Sequence, residues 1–352
     1  MCIDAKIFLS WILGSLPFAI FAISGWCMAV NTQEPAIARW SQNKKAAVSL
    51  RFDDNLESHV NDAIPLLNDH AIRATFMVNP GRSTFKEHEH FWCYSVPAMG
   101  HELGNHTMHH HGARSIEEAR YEIGEPAKYI RAINPRKGPL LVFASGGGEK
   151  WGGKHWEEAD PLYKELVKEY QLIDLYDGKH PAYGADSTTT ADDLYLQVQT
   201  AIAEGKHQAF SFHQIGSPRI KDFIYYMLKG RTMSFSKGEF QRFLDKLRNA
   251  SSEVWIAPLG EILKYQEEYN NARILNIKKD GSGISFQLKV GTTPILFDMP
   301  LTIVFPGIKT DKFSAYQDNT LLDSQSNGKD EVLVTVQPRT SVISFNIKNG
   351  KR

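Results

Sequence analysis

The sequence predicts an α/β fold followed by a smaller, β-rich domain. Short apolar strands alternate with amphipathic helices as far as about residue 270, which is the rhythm of β/α units. After that point, period-two alternation between Gly-, Asp- and Asn-rich turns replaces the helices and predicts a small β-sandwich. The chain has 352 residues, 42% of them hydrophobic, which is enough for one barrel-sized domain and a smaller second one.

The pattern assigns individual elements along the chain. In the first domain, strands are predicted at residues 46–52, 73–78, 140–144 and 209–212. Helices are predicted at residues 58–70, 116–132, 161–170 and 237–249. In the last region, strands are predicted at residues 284–290, 301–305, 331–336 and 341–347. We therefore expect a catalytic domain at residues 40–270 and a β-rich accessory domain at residues 271–352.

The first predicted strand ends in two adjacent aspartates. Val48, Leu50 and Phe52 alternate along one face of this strand, and Asp53 and Asp54 follow where the β/α unit turns into its loop. Catalytic groups of β/α barrels cluster at that end of the strands. Taken alone, a pair of aspartates is more often a turn or a helix cap.

A histidine pair with HxxxH spacing lies further along the chain. His106 and His110 are four residues apart, so on a helical turn they would share one face and bind one ion. Two imidazoles and one carboxylate make a three-ligand site with room for water, which is the catalytic pattern for zinc. The cluster formed with His109 and His111 has an alternative interpretation as a solvated loop.

Together these motifs resemble the NodB-type polysaccharide deacetylases, carbohydrate esterase family four. The resemblance rests on SLRFDDN at residues 49–55, GHELGNHTMHH at residues 100–110 and FSFHQIG at residues 210–216, and it spans roughly residues 46–265. It implies a distorted, incomplete (β/α) barrel of the NodB-homology type with its site at the carboxyl ends of the strands.

The resemblance also implies a role for each residue of these motifs. Asp54, His106 and His110 would bind a divalent metal, with Zn²⁺ as the expected ion and Co²⁺ or Ni²⁺ as alternatives. Asp53 would be the general base and His213 the general acid. The implied reaction is removal of acetyl groups from a saccharide or polysaccharide by N-deacetylation. An O-acetyl esterase of the same fold and a non-catalytic carbohydrate-binding pseudoenzyme are the alternatives.

Two departures from the family pattern bear on activity. The family usually carries an arginine in an RPPYG-like segment that holds the basic aspartate, but the corresponding residues 142–148 contain none. The later aspartate-tryptophan element is also absent, and its nearest counterpart is residues 172–177. Arg51 is the predicted substitute, because strand alternation places it on the same side as Asp53. The alternative is a surface arginine at a strand edge.

The amino terminus predicts export. Residues 1–29 are interpreted as a signal peptide or an uncleaved N-terminal anchor, because an apolar run at residues 7–23 follows Lys6. The protein is therefore expected to be secreted or periplasmic, with membrane contact only through that segment. After removal of the leader Cys93 alone remains, so no internal disulfide is expected. The zero net charge argues against a dedicated nucleic-acid surface.

Several aromatic and glycine residues have two interpretations. Trp92, Trp151, Trp156 and Tyr183 lie near the motifs and would either stack on sugar rings or pack in the core. The glycines at residues 146–148 would either approach an oxyanion or form a flexible loop. The β-rich domain, with Phe313 and Tyr316 as its aromatic pair, is interpreted as a structural appendage or a carbohydrate-binding module.

Overall fold

The structure is a computed structural model that describes residues 34–133, 140–145, 150–151, 154–155, 161–217, 228, 230–280, 283–293, 295–308, 313–328 and 330–347. All of these residues belong to one compact unit. The expected leader or anchor at residues 1–29, the glycines at 146–148, Trp156 and the side chain of Trp151 lie outside the described residues. In the described ranges there is no helix with the length and apolar character needed to cross a bilayer.

The strands of the first domain are short. The four predicted strands are present among them, with bounds that differ from the prediction by up to two residues. The strands are β1 (Ala36–Ile37), β2 (Ala46–Asp53), β3 (Thr75–Val78), β4 (Glu102–Asn105), β5 (Leu141–Phe143), β6 (Lys150–Trp151), β7 (Lys154–His155), β8 (Leu172–Asp174), β9 (Ala182–Gly184), β10 (His207–Phe212), β11 (Gln214–Ile215), β12 (Ser234–Phe235) and β13 (Val254–Ile256).

The helices of this domain alternate with the strands. They are α1 (Ile64–Asp69), α2 (Ser83–Lys86), α3 (Val96–Ala98), α4 (Ile116–Ile133), α5 (Pro161–Glu169), α6 (Ala191–Glu204), α7 (Lys237–Asn249) and α8 (Leu259–Asn271). A 3₁₀ turn at Ser41–Asn43 and π turns at His59–Ala63 and Phe91–Ser95 complete the described helical segments.

One parallel sheet organises the first domain. Among the described residues it has eight strands in the order β8-β5-β4-β3-β2-β10-β9, with β13 paired to β2. The central strand β2 pairs with β10 along one edge. Along its other edge, the first half of β2 pairs with β13 and the second half pairs with β3. The edge strands β8 and β9 do not pair with each other within the described sheet, so it curls without closing. The predicted incomplete (β/α) barrel is confirmed.

Apolar side chains bury β2 from end to end. Every residue of β2 is buried, as expected for a parallel strand that is covered on both faces. The ring of Phe52 stacks on Phe76 of β3 and Phe212 of β10, with centroids 5.0 and 5.2 Å away. Phe240 of α7 closes this cluster edge-on at 5.8 Å. One aromatic core therefore packs three neighbouring strands together at the residue before Asp53.

The helix predicted at residues 58–70 begins differently from the expectation. It starts as a π turn in which the Ile64 amide bonds to the His59 carbonyl, and only then becomes α1. The second π turn ends the same way, at Val96. Each π turn is followed two residues later by a proline, Pro65 or Pro97, which has no amide hydrogen with which to continue the ordinary ladder.

Two aromatic residues near the motifs belong to the core. Trp92 is fully buried and stacks on Phe85 at 6.3 Å, so the interpretation of this residue as a sugar platform is wrong. Tyr183 is partly buried and contacts Phe210 at 6.3 Å. Cys93 is a free cysteine whose sulfur lies 3.5 Å from the Tyr129 hydroxyl.

The carboxyl region is built from antiparallel strands. They are β14 (Ala272–Asp280), β15 (Gly283–Val290), β16 (Leu301–Pro306), β17 (Phe313–Gln317), β18 (Thr320–Leu321), β19 (Ser324–Ser326), β20 (Glu331–Val336) and β21 (Ser341–Ile347). Among the described residues they form two sheets, ordered β14-β15-β21-β17-β18 and β1-β16-β20-β19. The two sheets share one apolar core, which confirms the sandwich-like arrangement.

The first domain contributes to that core at two places. Strand β1 adds to the sandwich by pairing Ala36 with Val304. The Tyr265 hydroxyl of α8 donates to the Ala38 carbonyl at 2.9 Å and accepts from the Thr302 amide at 3.3 Å. An accessory domain at residues 271–352 that folds by itself stays a prediction.

Candidate functional site

The carboxyl ends of four adjacent parallel strands bring the predicted site residues together. Asp53 closes β2, and β10 pairs Phe212 with Phe52, so His213 leaves its strand beside Asp53. On the other side, β3 and β4 run in register, and His106 follows directly after Asn105 at the end of β4. The parallel direction of these strands puts all of these side chains at one edge of the sheet.

Asp54, His106 and His110 converge on one point. The Asp54 Oδ1 atom lies 3.9 Å from His106 Nε2 and 3.7 Å from His110 Nε2. All three ligand atoms lie within 4.8 Å of one another, and the two imidazole rings meet edge to face with centroids 4.7 Å apart. Two imidazole nitrogens and one carboxylate oxygen form the donor set that zinc and neighbouring transition metals prefer.

His106 is oriented for coordination by its other nitrogen. Its Nδ1–H donates to the Ala144 carbonyl at 2.8 Å, which leaves the Nε2 lone pair directed at Asp54. Burial lowers the pKa of His106 to about 4, so the ring is neutral at physiological pH. A neutral imidazole with a fixed tautomer is the form that binds a metal.

The two histidines lie in a loop, so the expected helical turn is wrong. Thr107 and His110 have φ angles of 65° and 62°, in the left-handed region that side chains rarely adopt. Asn79 stabilises the loop, since its amide nitrogen donates to the carbonyls of His106 and Thr107. Asp54 has a φ of 80° as well. Left-handed backbone of this kind clusters at functional sites, where the surrounding structure maintains it.

Asp54 is ionised over the whole physiological range. Burial alone would raise its pKa, but the imidazoles of His106, His213 and His110 and the guanidinium of Arg82 lower it to about 2. Arg82 donates to Asp54 Oδ1 at 2.9 Å. The sequence motifs did not identify Arg82, although its position just beyond the end of β3 is where site residues of this fold are expected.

Arg51 and Asp53 form a buried ion pair. The Arg51 Nη2 atom donates to Asp53 Oδ2 at 2.9 Å, and the two residues are 6% and 2% exposed. Arg51 is therefore not a surface side chain. Burial would favour the neutral acid at Asp53, but Arg51 leads the neighbouring charges that hold the pKa of Asp53 below its ordinary value. That Arg51 substitutes for the family arginine stays a prediction.

Tyr176 lies against Arg51 of this pair. The Arg51 guanidinium carbon lies 5.9 Å from the centre of the Tyr176 ring. Burial, followed by the charge of Asp53, raises the pKa of the Tyr176 hydroxyl. Tyr176 lies two residues beyond β8, in the segment that corresponds most nearly to the missing aspartate-tryptophan element.

His213 is positioned through its backbone. The carbonyl of His213 accepts a 2.7 Å hydrogen bond from Nε2 of His59, whose Nδ1 accepts the Leu56 amide at 3.2 Å. These two contacts fix the His59 tautomer with the proton on Nε2. Burial lowers the pKa of His59 to about 4, so a neutral His59 side chain holds the His213 backbone in place. No sequence pattern distinguishes such a residue from an ordinary core histidine.

A cleft of about 160 Å³ opens beside His213. Its walls come from β9, the end of β10 and the segment before β12, and they include Asp186, Ser211 and Arg231. Arg231 and Asp186 form an ion pair of 2.8 Å at its rim. The cleft lies next to His213, the expected acid.

A curated relative and several solved structures are similar to this chain. The gellan lyase of a Bacillus species is 23% identical over 296 residues, which are 76% of this chain and 11% of that protein. The chain therefore spans about a tenth of the length of this relative.

Three solved structures are similar to part of this chain. A family 4 acetyl xylan esterase from Clostridium thermocellum with a cobalt ion is 18% identical, with a TM-score of 0.40 over 62% of this chain and 91% of that chain. A peptidoglycan deacetylase from Bacillus subtilis is 14% identical, with a TM-score of 0.36 over 63% and 91%. A CE4 family pseudoenzyme from Bacillus anthracis is 18% identical, with a TM-score of 0.37 over 63% and 66%.

The family model of polysaccharide deacetylases matches residues 41–167. The matched segment contains Asp53, Asp54, His106 and His110, and it ends before His213. The match confirms the resemblance found in the sequence motifs, since it covers the first two of them. The likeness to the polysaccharide deacetylase family is thus found over residues 41–167.

Proposed function

We propose that this protein is a metal-dependent hydrolase that removes acetyl groups from a saccharide or polysaccharide, acting on the C–N bond of an N-acetylated amino sugar. The observation that carries the proposal is the pairing of two arrangements at one sheet edge. A three-ligand set of Asp54, His106 and His110 lies next to a buried carboxylate, Asp53, that Arg51 keeps ionised.

The ligand set suits a divalent metal. Asp54 is anionic, His106 is neutral with its Nε2 directed inward, and the three donor atoms are close enough to share one ion. Zn²⁺ fits this N₂O donor set, as do Co²⁺ and Ni²⁺. When bound, the ion supplies Lewis acidity that polarises an acyl oxygen and acidifies water.

Asp53 is proposed as the general base. Its Oδ2 is engaged by Arg51, whereas its Oδ1 is buried and has no hydrogen-bond partner among the described residues. An ionised oxygen with an open acceptor position can take a proton from attacking water. Arg51 contributes by keeping this carboxylate deprotonated and by fixing its rotamer.

His213 is proposed as the general acid. It lies at the end of β10, opposite Asp53 across the strand pair, and it lines the cleft at that edge. The leaving amine of an amide needs a proton at the moment of cleavage, and a protonated imidazole beside it can supply that proton. The hydrogen bond from His59 to the His213 backbone keeps this residue in place.

An O-acetyl esterase is the second candidate from the same site. An alcohol leaves more easily than an amine, so an ester substrate depends less on His213. The absence of the RPPYG-like arginine favours a third reading, a carbohydrate-binding pseudoenzyme. The buried pair of Arg51 and Asp53 weighs against it, because Arg51 is proposed to replace the missing cation from another position.

Metal content and acetate release together test the proposal. Purified protein would be stripped of metal, reloaded with Zn²⁺, Co²⁺ or Ni²⁺, and incubated with N-acetylated and O-acetylated glycans. We expect acetate from an N-acetylated glycan only in the reloaded protein, and none from Asp54→Asn. Acetate from O-acetylated glycans alone would establish the esterase. Binding of glycans without any acetate release would establish the pseudoenzyme.

Export and a glycan-facing location are part of the same proposal, and mass analysis of the amino terminus after expression tests leader cleavage.

A further inference from the structure

A second cluster of metal-binding side chains lies on the other side of the histidine loop. His109, His111 and Glu122 each offer one donor atom, and these atoms lie within 4.8 Å of one another. His109 and His111 flank His110, whose ring instead approaches Asp54. We propose that His109, His111 and Glu122 bind a second divalent transition-metal ion, which joins the histidine loop to α4.

Glu122 is the anchor of this cluster. Its side chain is 1% exposed, although it carries a carboxylate. Oε2 accepts the His109 amide at 2.9 Å, while Oε1 lies 2.7 Å from His109 Nδ1 and 3.5 Å from His111 Nε2. Among the described residues, its ion-pair partners are these two imidazoles, with no lysine or arginine. A buried carboxylate requires a positive partner, and a divalent ion between three donors meets that requirement.

Both imidazoles are held with a donor atom toward Glu122. His111 has its Nδ1 3.2 Å from the Gly112 carbonyl, so the proton belongs there and the Nε2 lone pair faces Oε1. His109 is oriented by Gly81, because a Cβ at that position would lie 2.4 Å from His109 Nε2. That contact places the ring against the Gly81 backbone and directs its Nδ1 at the carboxylate.

The spacing of the donors suits a small ion after one adjustment. Ligand atoms about 2.1 Å from a tetrahedral zinc are separated by about 3.4 Å. The gap between His111 Nε2 and Glu122 Oε1 is 3.5 Å. The contact between His109 Nδ1 and Oε1 is a hydrogen bond of 2.7 Å that the ion would replace by displacing its proton.

The cluster is accessible to an ion and stiffened by ring stacking. The side chains of His109 and His111 are 35% and 53% exposed. Their rings stack in parallel, 6° apart in orientation with centroids separated by 5.4 Å, and Tyr121 of α4 stacks on His109. Two N donors, one O donor and open positions for water match a zinc-like ion better than calcium or magnesium, which prefer oxygen.

The proposal concerns ion binding alone, so its failure is separate from failure of the proposed function. Metal-free protein would be titrated with ZnCl₂ by calorimetry, with bound zinc counted by elemental analysis. We expect two zinc ions in the wild type and one each in Asp54→Asn and His111→Ala. The double variant should bind none, and His90→Ala, which removes an exposed histidine outside both clusters, should bind two.

Glu122→Gln is the second test of the outer cluster. It should weaken binding of one zinc ion by about 10-fold or more, as losing a metal ligand or its support commonly does. Circular dichroism would establish that each variant is folded. If Glu122→Gln does not fold, the zinc count of His111→Ala alone tests the outer cluster. A zinc count that is the same in the wild type and in His111→Ala, or a zinc lost in His111→Ala that binds to the wild type only at millimolar concentration, would overturn the proposal.

Discussion

The carboxyl edge of the parallel sheet and the core of the β-sandwich bury polar groups in different ways. At the sheet edge, Arg51 and Asp53 are charged and nearly inaccessible, and one polar atom of each has no partner among the described residues. In the sandwich, the buried polar side chain of Gln317 is neutral, and both ends of its amide bond to Gln337 or Ser341. The Arg51–Asp53 pair therefore retains costly unpaired atoms, as sites for chemistry do, whereas the amide of Gln317 is bonded at both ends.

The largest expected effect separates chemistry from stability at the sheet edge. Asp53→Asn should reduce turnover by about 10²–10⁴-fold, because the amide cannot accept the proton. Metal content should be unchanged, since Asp53 is not among the expected ligands. Acetate release and elemental analysis on the same preparation measure both quantities. Wild-type turnover in this variant would remove Asp53 from the mechanism.

The corresponding change in the sandwich should act on stability alone. Phe345 stacks on Phe305 with centroids 4.3 Å apart and is fully buried. Phe345→Ala should lower the free energy of unfolding by about 3–5 kcal/mol. The matched control is Val342→Ala on the same strand, because Val342 is 52% exposed and should cost little. Denaturant titration measures both, and equal losses in the two variants would contradict the assignment of the core.

A smaller effect tests the buried ion pair. Arg51→Met removes the charge that keeps the pKa of Asp53 low, so that pKa rises and the base is protonated at higher pH. The acid limb of the pH–rate profile should therefore move upward, with a loss of about 10-fold in activity at neutral pH. Arg51→Lys should restore part of the lost activity and part of the original position of the acid limb. An acid limb that stays in place in Arg51→Met would leave Asp53 without its proposed support.

The smallest expected effect lies at the junction of the two regions. Burial raises the pKa of Glu268 to about 8, and one of its oxygens accepts the Met299 amide at 2.8 Å. A raised folded-state pKa means that stability is greatest below the unfolded value near 4.5 and is lost as pH rises toward 8. Glu268→Gln should thus be more stable than wild type by about 1–3 kcal/mol at pH 9, with the difference shrinking toward pH 5.

Thermal unfolding at several pH values measures this dependence. Glu267→Gln, the exposed neighbour on α8, is the control and should show no such trend. If wild type and Glu268→Gln keep a constant difference between pH 5 and pH 9, Glu268 does not titrate in this range.

The parts of the structure that follow a regular hydrophobic period could be predicted from the sequence. Strands and long helices follow hydrophobic periodicity, so β2, α4, α7 and β20 agree with the expected bounds to within a residue or so. The pairing of Arg51 with Asp53 could also be predicted from the sequence, because side chains two residues apart on a strand point to the same face. Local geometry was predicted wherever one period governs it.

Other features depend on contacts that no local pattern encodes. The loop that carries His106 and His110 bends through left-handed residues that Asn79 holds from another strand end, so the HxxxH spacing pointed to a helix that does not form. Arg82, His59 and Glu122 take their positions from long-range packing. Strand β1 joins a sheet whose other strands lie more than 260 residues later.

The pairing of β2 also has a consequence for how the chain is made. This strand is entirely apolar at its core face and has neighbours from residues 75–78, 207–212 and 254–256. A ribosome working at about 5–20 residues per second needs roughly ten to thirty seconds to pass from β2 to the end of β10. During that interval one edge of the strand lacks its β10 partner, and His213 has not yet been synthesised. The yield of folded protein therefore depends on what shields this segment during synthesis, and not only on how stable the finished fold is.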